Sequence, residues 1–174
     1  MTLNHFLNGI LQIVAAILLT IVFSKLYRFN SFLSFGYLSG LVLSASGLFF
    51  LPANLHPYWL GKIHIPNYLH YSLADWDSLI MGRSWHYFFI THSLLIPTIL
   101  LMLIPARGII YSFALGLSIG SSGHFIVEAF TSSLYTPVVF VANKIELHGY
   151  LSATWLFLNG VILFVIIAGR QRKV

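Results

Sequence analysis

Six side chains in this sequence could do chemistry together: Asp75, Asp77, His86, His92, His124 and Glu128. Four of them fall in one stretch, DWDSLIMGRSWHYFFITHS (Asp75–Ser93), which also holds two of the chain's four acidic residues. The stretch leads into an apolar helix, and charged or imidazole side chains near hydrocarbon are expensive enough to signal function by default. Imidazole nitrogens and carboxylate oxygens are the donors of a divalent-metal site. With no cysteine in the chain, thiolate sites, disulfides and Cys nucleophiles are excluded. The remaining N and O donors suit Zn or Mn without choosing between them.

The elements that must position these groups are membrane helices. The chain has 174 residues, 58% hydrophobic and 7% charged, against roughly a quarter charged in a soluble domain. We expect an all-α, integral membrane bundle forming one domain over residues 1–174. The net charge of +5 is spread over helix ends, where membrane proteins carry orientation signals, and is no sign of nucleic-acid binding. The first apolar run lacks a basic leader and a small-residue cleavage site, so it reads as a retained helix.

A span needs roughly 20 apolar residues, and five segments qualify: about 7–23, 32–51, 85–104, 109–130 and 149–168. The segment 131–147 is too mixed to cross and is expected to be re-entrant or interfacial. With the N-terminus outside and the C-terminus cytoplasmic, six basic residues (Lys25, Arg28, Arg107, Arg170, Arg172, Lys173) lie inside, against three outside (Lys62, Arg83, Lys144). That excess obeys the positive-inside rule. Asp75, Asp77, His86, His5 and His148 then fall at the outer surface. His92 lies roughly 10 Å down the third helix at 1.5 Å per residue, and His124 on the fourth reaches nearly the same depth.

On the fourth helix Ser112, Gly116, Gly120, His124 and Glu128 recur at every fourth residue and so share one face. Small residues there admit a neighbouring helix, which points His124 and Glu128 into protein rather than lipid. A His and a carboxylate at i and i+4 can hold one cation, or one can orient the other; alone, the pair could equally be a packing hydrogen bond. Gly36, Gly40 and Ser44 on the second helix read as a packing face. Asp75-Trp76-Asp77 could by itself be a turn or a helix cap. His86 and His92 are six apart, about 120° around a regular helix, so both face one ion only where the helix entry is unwound. His56, His64, His70 and His148 read as interfacial polar residues, and Tyr58, Trp59, Tyr68, Tyr71 and Trp76 as an aromatic belt.

The order of these patches resembles the integral membrane metal-dependent hydrolase family, the LexA-binding, inner-membrane-associated hydrolases. The resemblance is carried by Asn4-His5-Phe6-Leu7-Asn8-Gly9, Asp75-Trp76-Asp77, His86 through Thr91-His92-Ser93, and Ser122-Gly123-His124 through Glu128 to Thr131. It implies a ligand set of His5, Asp75, Asp77, His86, His92, His124 and Glu128. The chain would be a divergent member. Glu128 stands where the family pattern carries Asp, Tyr87 follows His86 where Arg is usual, and an extra helix separates His5 from Asp75.

The expected chemistry is metal-assisted hydrolysis, in which a zinc-class ion acidifies water and polarises the scissile group. His92, His124 and Asp75 or Asp77 are the leading ligands, His5 and His86 further ones. Glu128 is ligand or general base, and Glu128 and Asp77 are the candidate catalytic carboxylates. The site's depth suggests a membrane lipid or another amphiphilic ester or phosphoester as substrate, in a bacterial inner membrane or thylakoid-type membrane. The rival expectation is a non-catalytic subunit of a larger membrane complex, its intramembrane histidines ligating haem or chlorophyll. It accounts for His92 and His124 and leaves Asp75, Asp77 and Glu128 without a role. A proton-coupled transporter would show internal repeats or paired broken helices, which this sequence lacks.

Overall fold

The structure, a computed structural model, describes residues 3–27, 34–48, 54–55, 63–64, 67–76, 88–131, 137–141 and 145–171. Among them are five α-helices: α1 (Leu3–Tyr27), α2 (Phe35–Ala45), α3 (Leu95–Leu103), α4 (Gly108–Thr131) and α5 (Tyr150–Gln171). The long connections are not featureless. β1 (Asn54–Leu55) pairs antiparallel with β2 (Ile63–His64), a 3-10 turn spans Asn67–His70, and β3 (Val138–Val141) pairs antiparallel with β4 (Ile145–Leu147). The segment expected to be re-entrant or interfacial thus carries a short hairpin, so the architecture is mainly rather than wholly α.

Three helices are long and apolar enough to cross a membrane: Phe6–Leu26 of α1, Gly108–Thr131 of α4 and Tyr150–Arg170 of α5. They are not equivalent. The apolar window of α4 is 72% buried within the protein, against 28% in α1 and 33% in α5, so α4 is the hub and the other two flank it. Leu18, Leu26 and Val165 stay exposed on the flanking helices, as lipid-facing residues would be.

The hub is built on absent side chains. A Cβ on Gly116 of α4 would strike the Tyr37 carbonyl of α2, and one on Gly40 of α2 would strike the Phe113 carbonyl of α4. The two small-residue faces expected from the sequence therefore pack on each other. Gly36 meets Ile109, Gly40 meets Phe113 and Gly120 meets Leu41 and Ser44, so the contacts advance together and α2 and α4 run parallel. On other sides of α4, Gly123 lies against Ala16 of α1, and Ser122 Oγ donates to the Gly160 carbonyl of α5 at 2.6 Å. At one end of the bundle Arg170 joins three helix ends, donating to the Ile104 carbonyl at 2.8 Å and lying over the Tyr111 ring.

Two helices are shorter than expected. α2 has 11 residues and α3 has 9, where the sequence suggested about 32–51 and 85–104. The late start of α3 has a definite cause. Pro97 has no amide hydrogen, and its ring clashes with the carbonyl four residues back; that carbonyl belongs to Ser93. A helix running through 93 would be broken there, whereas Pro is tolerated in a first turn, where α3 places it. Residues 89–94 accordingly form turns. His92 thus precedes the helix rather than riding on it.

Candidate metal centre

Asp75, His92, His124 and Glu128 converge on one point, each offering a ligand atom within 4.8 Å of all the others. His124 and Glu128 come from α4, one turn apart. His124 Nε2 lies 3.2 Å from Glu128 Oε2 and 3.9 Å from Asp75 Oδ1. His92 Nε2 lies 3.5 Å from Glu128 Oε2 and 3.6 Å from Asp75 Oδ1. Four donors on a tetrahedron around an ion with bonds of about 2.05 Å would stand roughly 3.3 Å apart, so these separations suit a single small cation. Both imidazoles are fully buried, Glu128 is nearly so, and Asp75 is the most exposed at 16%.

Each imidazole is turned by a contact at its other nitrogen. His124 Nδ1 lies 2.8 Å from the Ala45 carbonyl. A carbonyl only accepts, so Nδ1 carries a proton and Nε2 is the nitrogen turned to the cluster, able to bind a cation when it is unprotonated. Ala45 is the last residue of α2, where helix carbonyls lack an intrahelical partner, and the histidine supplies one. His92 Nδ1 lies 3.3 Å from Thr91 Oγ1. That hydroxyl already donates to the Phe88 carbonyl at 2.9 Å, so it accepts from His92, whose Nε2 also faces inward.

Asp75 is delivered by the chain beyond α2. The helix closes with the Ser46 and Gly47 amides on the Val42 carbonyl, and Gly47 takes φ +66°, the left-handed conformation that ends helices. The next contacts lock residues 69–73 onto this corner: the Leu48 amide donates to Leu69 at 2.6 Å and the Leu73 amide to Leu43 at 3.0 Å. Ser72 then caps the following turn. Its hydroxyl donates to Asp75 Oδ2 at 2.8 Å and accepts from the Asp75 amide at 3.3 Å. The same hydroxyl is 3.4 Å from His124 Nε2.

Of the seven ligands expected, the structure brings together Asp75, His92, His124 and Glu128. Asp77 and His86 lie outside the described residues, as does the side chain of His5, whose backbone belongs to α1. His148 is exposed and pairs with Glu146 at 3.2 Å, away from the cluster. Sequence reasoning missed Ser72, although the Ser-x-x-Asp spacing of Ser72 and Asp75 is a turn-capping pattern that could have found it. It also missed the Ala45 carbonyl, for which no residue type is a signal.

A family model, Domain of unknown function (DUF5942), matches residues 2–173. The chain belongs to that family. No curated protein and no solved structure matches it.

The cluster's charge limits what it can be. Two carboxylates beside two imidazoles carry a net charge of about −2 when the imidazoles are neutral, and buried charge without compensation is strongly unfavourable, so protons on the imidazoles or a bound cation must balance it. A divalent cation held by two Nε2 and two carboxylate oxygens removes the imbalance.

Proposed function

We propose that this protein is a membrane-embedded, divalent-metal-dependent hydrolase acting on a lipid or another amphiphilic ester or phosphoester. The observation that carries the proposal is the buried Asp75–His92–His124–Glu128 donor set, with both imidazoles oriented Nε2-inward. The four residues fit a zinc-class or manganese ion, which would supply Lewis acidity to acidify water and polarise the scissile oxygen. Asp75, the most exposed member, marks the open side from which substrate arrives. Glu128 ligates the ion or takes the proton of the attacking water. Asp77, His86 and His5 would be further donors. The resemblance to inner-membrane metal-dependent hydrolases supports the same chemistry.

In the membrane, α1, α4 and α5 cross fully, α2 and α3 complete the five-helix bundle, and the N-terminus faces outside. The basic residues support this: Lys25, Arg107 and Arg170 all sit at loop or helix ends assigned to the cytoplasm. The bacterial inner membrane is the natural setting and membrane lipid the natural partner. A pigment-binding subunit is the weaker reading. A macrocycle held between two imidazoles needs the plane between them, and here that space is flanked by Asp75 Oδ1 and Glu128 Oε2 within 3.9 Å of the ring nitrogens.

The test is metal analysis of gently purified protein, followed by hydrolysis assays on a panel of phospholipid and phosphoester substrates with and without chelator. We expect stoichiometric divalent metal and chelator-sensitive turnover. Protein without metal but with a porphyrin absorption band would overturn the proposal in favour of the pigment-binding subunit.

A further inference from the structure

Of the two histidines in the described cluster, His92 is the one that no helix holds. The turn that carries it is set by the late start of α3, and its local bonds include the His92 amide to the Phe88 carbonyl at 2.9 Å, the Ser93 hydroxyl to the Ile90 carbonyl at 3.1 Å and the Thr91 hydroxyl to the Phe88 carbonyl at 2.9 Å. Further attachments come from α5, which places no residue in the four-residue cluster. Trp155 Nε1 donates to the His92 carbonyl at 3.1 Å. Asn159 Oδ1 accepts from the Leu94 amide at 3.0 Å, and its Nδ2 donates to the Trp155 carbonyl at 2.8 Å. Trp155 and Asn159 are one turn apart, so a single face of α5 grips the turn at both the donor and the acceptor groups of its backbone.

The indole is itself held. Its ring meets Phe140 of β3 edge-on at 5.2 Å, and Phe140 stacks on Phe89 at 4.9 Å. Phe89 lies in the same turn as His92, so the Phe140 ring of β3 links the ligand-bearing turn to the indole. Asn159 is 7% exposed, and a buried amide with its oxygen and nitrogen both bonded is fixed in orientation.

We propose that Trp155 and Asn159 are positioning residues of the metal centre, acting through the backbone of residues 92–94 to aim His92 Nε2 at the ion. The proposal rests on the metal-site reading above. It makes α5 part of the site without placing any α5 atom on the metal. Loss of a partner that orients a metal ligand typically weakens metal binding about 10–100-fold, and that is the range expected here.

The experiment uses the full-length protein in detergent, with Zn²⁺ and Co²⁺ as probes. Dissociation constants, the visible absorption bands of the Co²⁺ form and the thermal midpoint of the metal-free protein are measured together. Trp155→Phe keeps the ring against Phe140 and removes only the indole donor. Asn159→Ala removes both amide bonds. Phe157→Leu is the control: it disturbs α5 packing against Phe130 on α4, and at two residues from both Trp155 and Asn159 it lies on the opposite face of the helix. We expect Trp155→Phe and Asn159→Ala each to weaken metal binding at least about tenfold and to alter the Co²⁺ bands, with Phe157→Leu at the wild-type constant. Wild-type affinity in both variants overturns this inference alone. Equal weakening in Phe157→Leu also overturns it, since general packing would then explain the effect. Wild-type protein that binds neither ion overturns the metal-site reading with it.

Discussion

His124 Nδ1 stands 2.8 Å from the carbonyl oxygen of Ala45, 79 residues away in sequence. The C-terminus of one helix thereby sets the tautomer of a histidine on another, and the parallel Gly seam between α2 and α4 brings the two together. A contact that fixes protonation also fixes which nitrogen can bind a cation, so packing and chemistry are joined at this bond.

Replacing either histidine should empty the site. Wild-type protein is expected to hold about one to two divalent ions, as His and carboxylate ligands gathered in one cavity do. His92→Ala and His124→Ala each leave too few donors and an uncompensated carboxylate pair. Elemental analysis should show the metal falling toward zero in both variants.

Glu128 separates a working hydrolase from a bare binding site. Glu128→Gln removes the charge at nearly constant shape, and turnover should fall roughly 10²–10⁴-fold, the usual loss with general acid–base catalysis. Glu128→Asp should be tolerated better, because it keeps the carboxylate. Rates for the three proteins on one phosphoester substrate in matched detergent decide it, and equal rates would remove Glu128 from the mechanism.

Metal binding should tighten as pH rises. The two histidines bind a cation only when neutral and the carboxylates only when ionised, so protons compete with the ion and are released on binding. Titrations near pH 5.5 and pH 8 should show the weaker constant at the lower value. A constant independent of pH would mean that histidine is not a ligand.

The α2–α4 seam leaves no room for growth. At Gly116 the obstacle is the Tyr37 backbone carbonyl, which cannot rotate away. Gly116→Val should destabilise the bundle by about 1–3 kcal/mol or more, as overpacking does. It should also weaken the metal site, because separating the helices withdraws Ala45 from His124. Thermal unfolding and metal titration of the same preparation test both.

Topology can be read with cysteines placed in this cysteine-free chain. A thiol at Asn67 should react with a membrane-impermeant reagent added outside, and one at Arg172 only after permeabilisation. The reverse pattern would turn the metal centre toward the cytoplasm.

The sequence makes the centre of the bundle legible because helical period is a simple signal. Small residues and then His124 and Glu128 recur at every fourth place, and the structure packs that face on α2 as the spacing implies. Asp75 and His92 are recognisable by residue type, since carboxylate and imidazole are rare in so apolar a chain. The start of α3 was equally legible through Pro97, but the surrounding apolar run masks it and suggests a helix from Trp85. The hairpins were not legible, because two to four residues of strand leave too little alternation to read. Nor were Ala45 and the attachments from α5, where one partner in each bond is a backbone group common to every residue.

The shortness of α2 sets a requirement on the surroundings of the site. Eleven residues rise only about 16 Å, roughly half of a 30 Å hydrocarbon layer, so in a bilayer the chain leaves helical geometry near mid-depth. Irregular backbone is tolerated at that depth only where protein encloses it or a hydrated cavity meets it. The Leu48 and Leu73 amides find protein partners, while Asp75 keeps part of its surface accessible. The non-helical corner beyond Gly47 therefore has its backbone enclosed by protein, and water that reached it in a bilayer would meet Asp75 first.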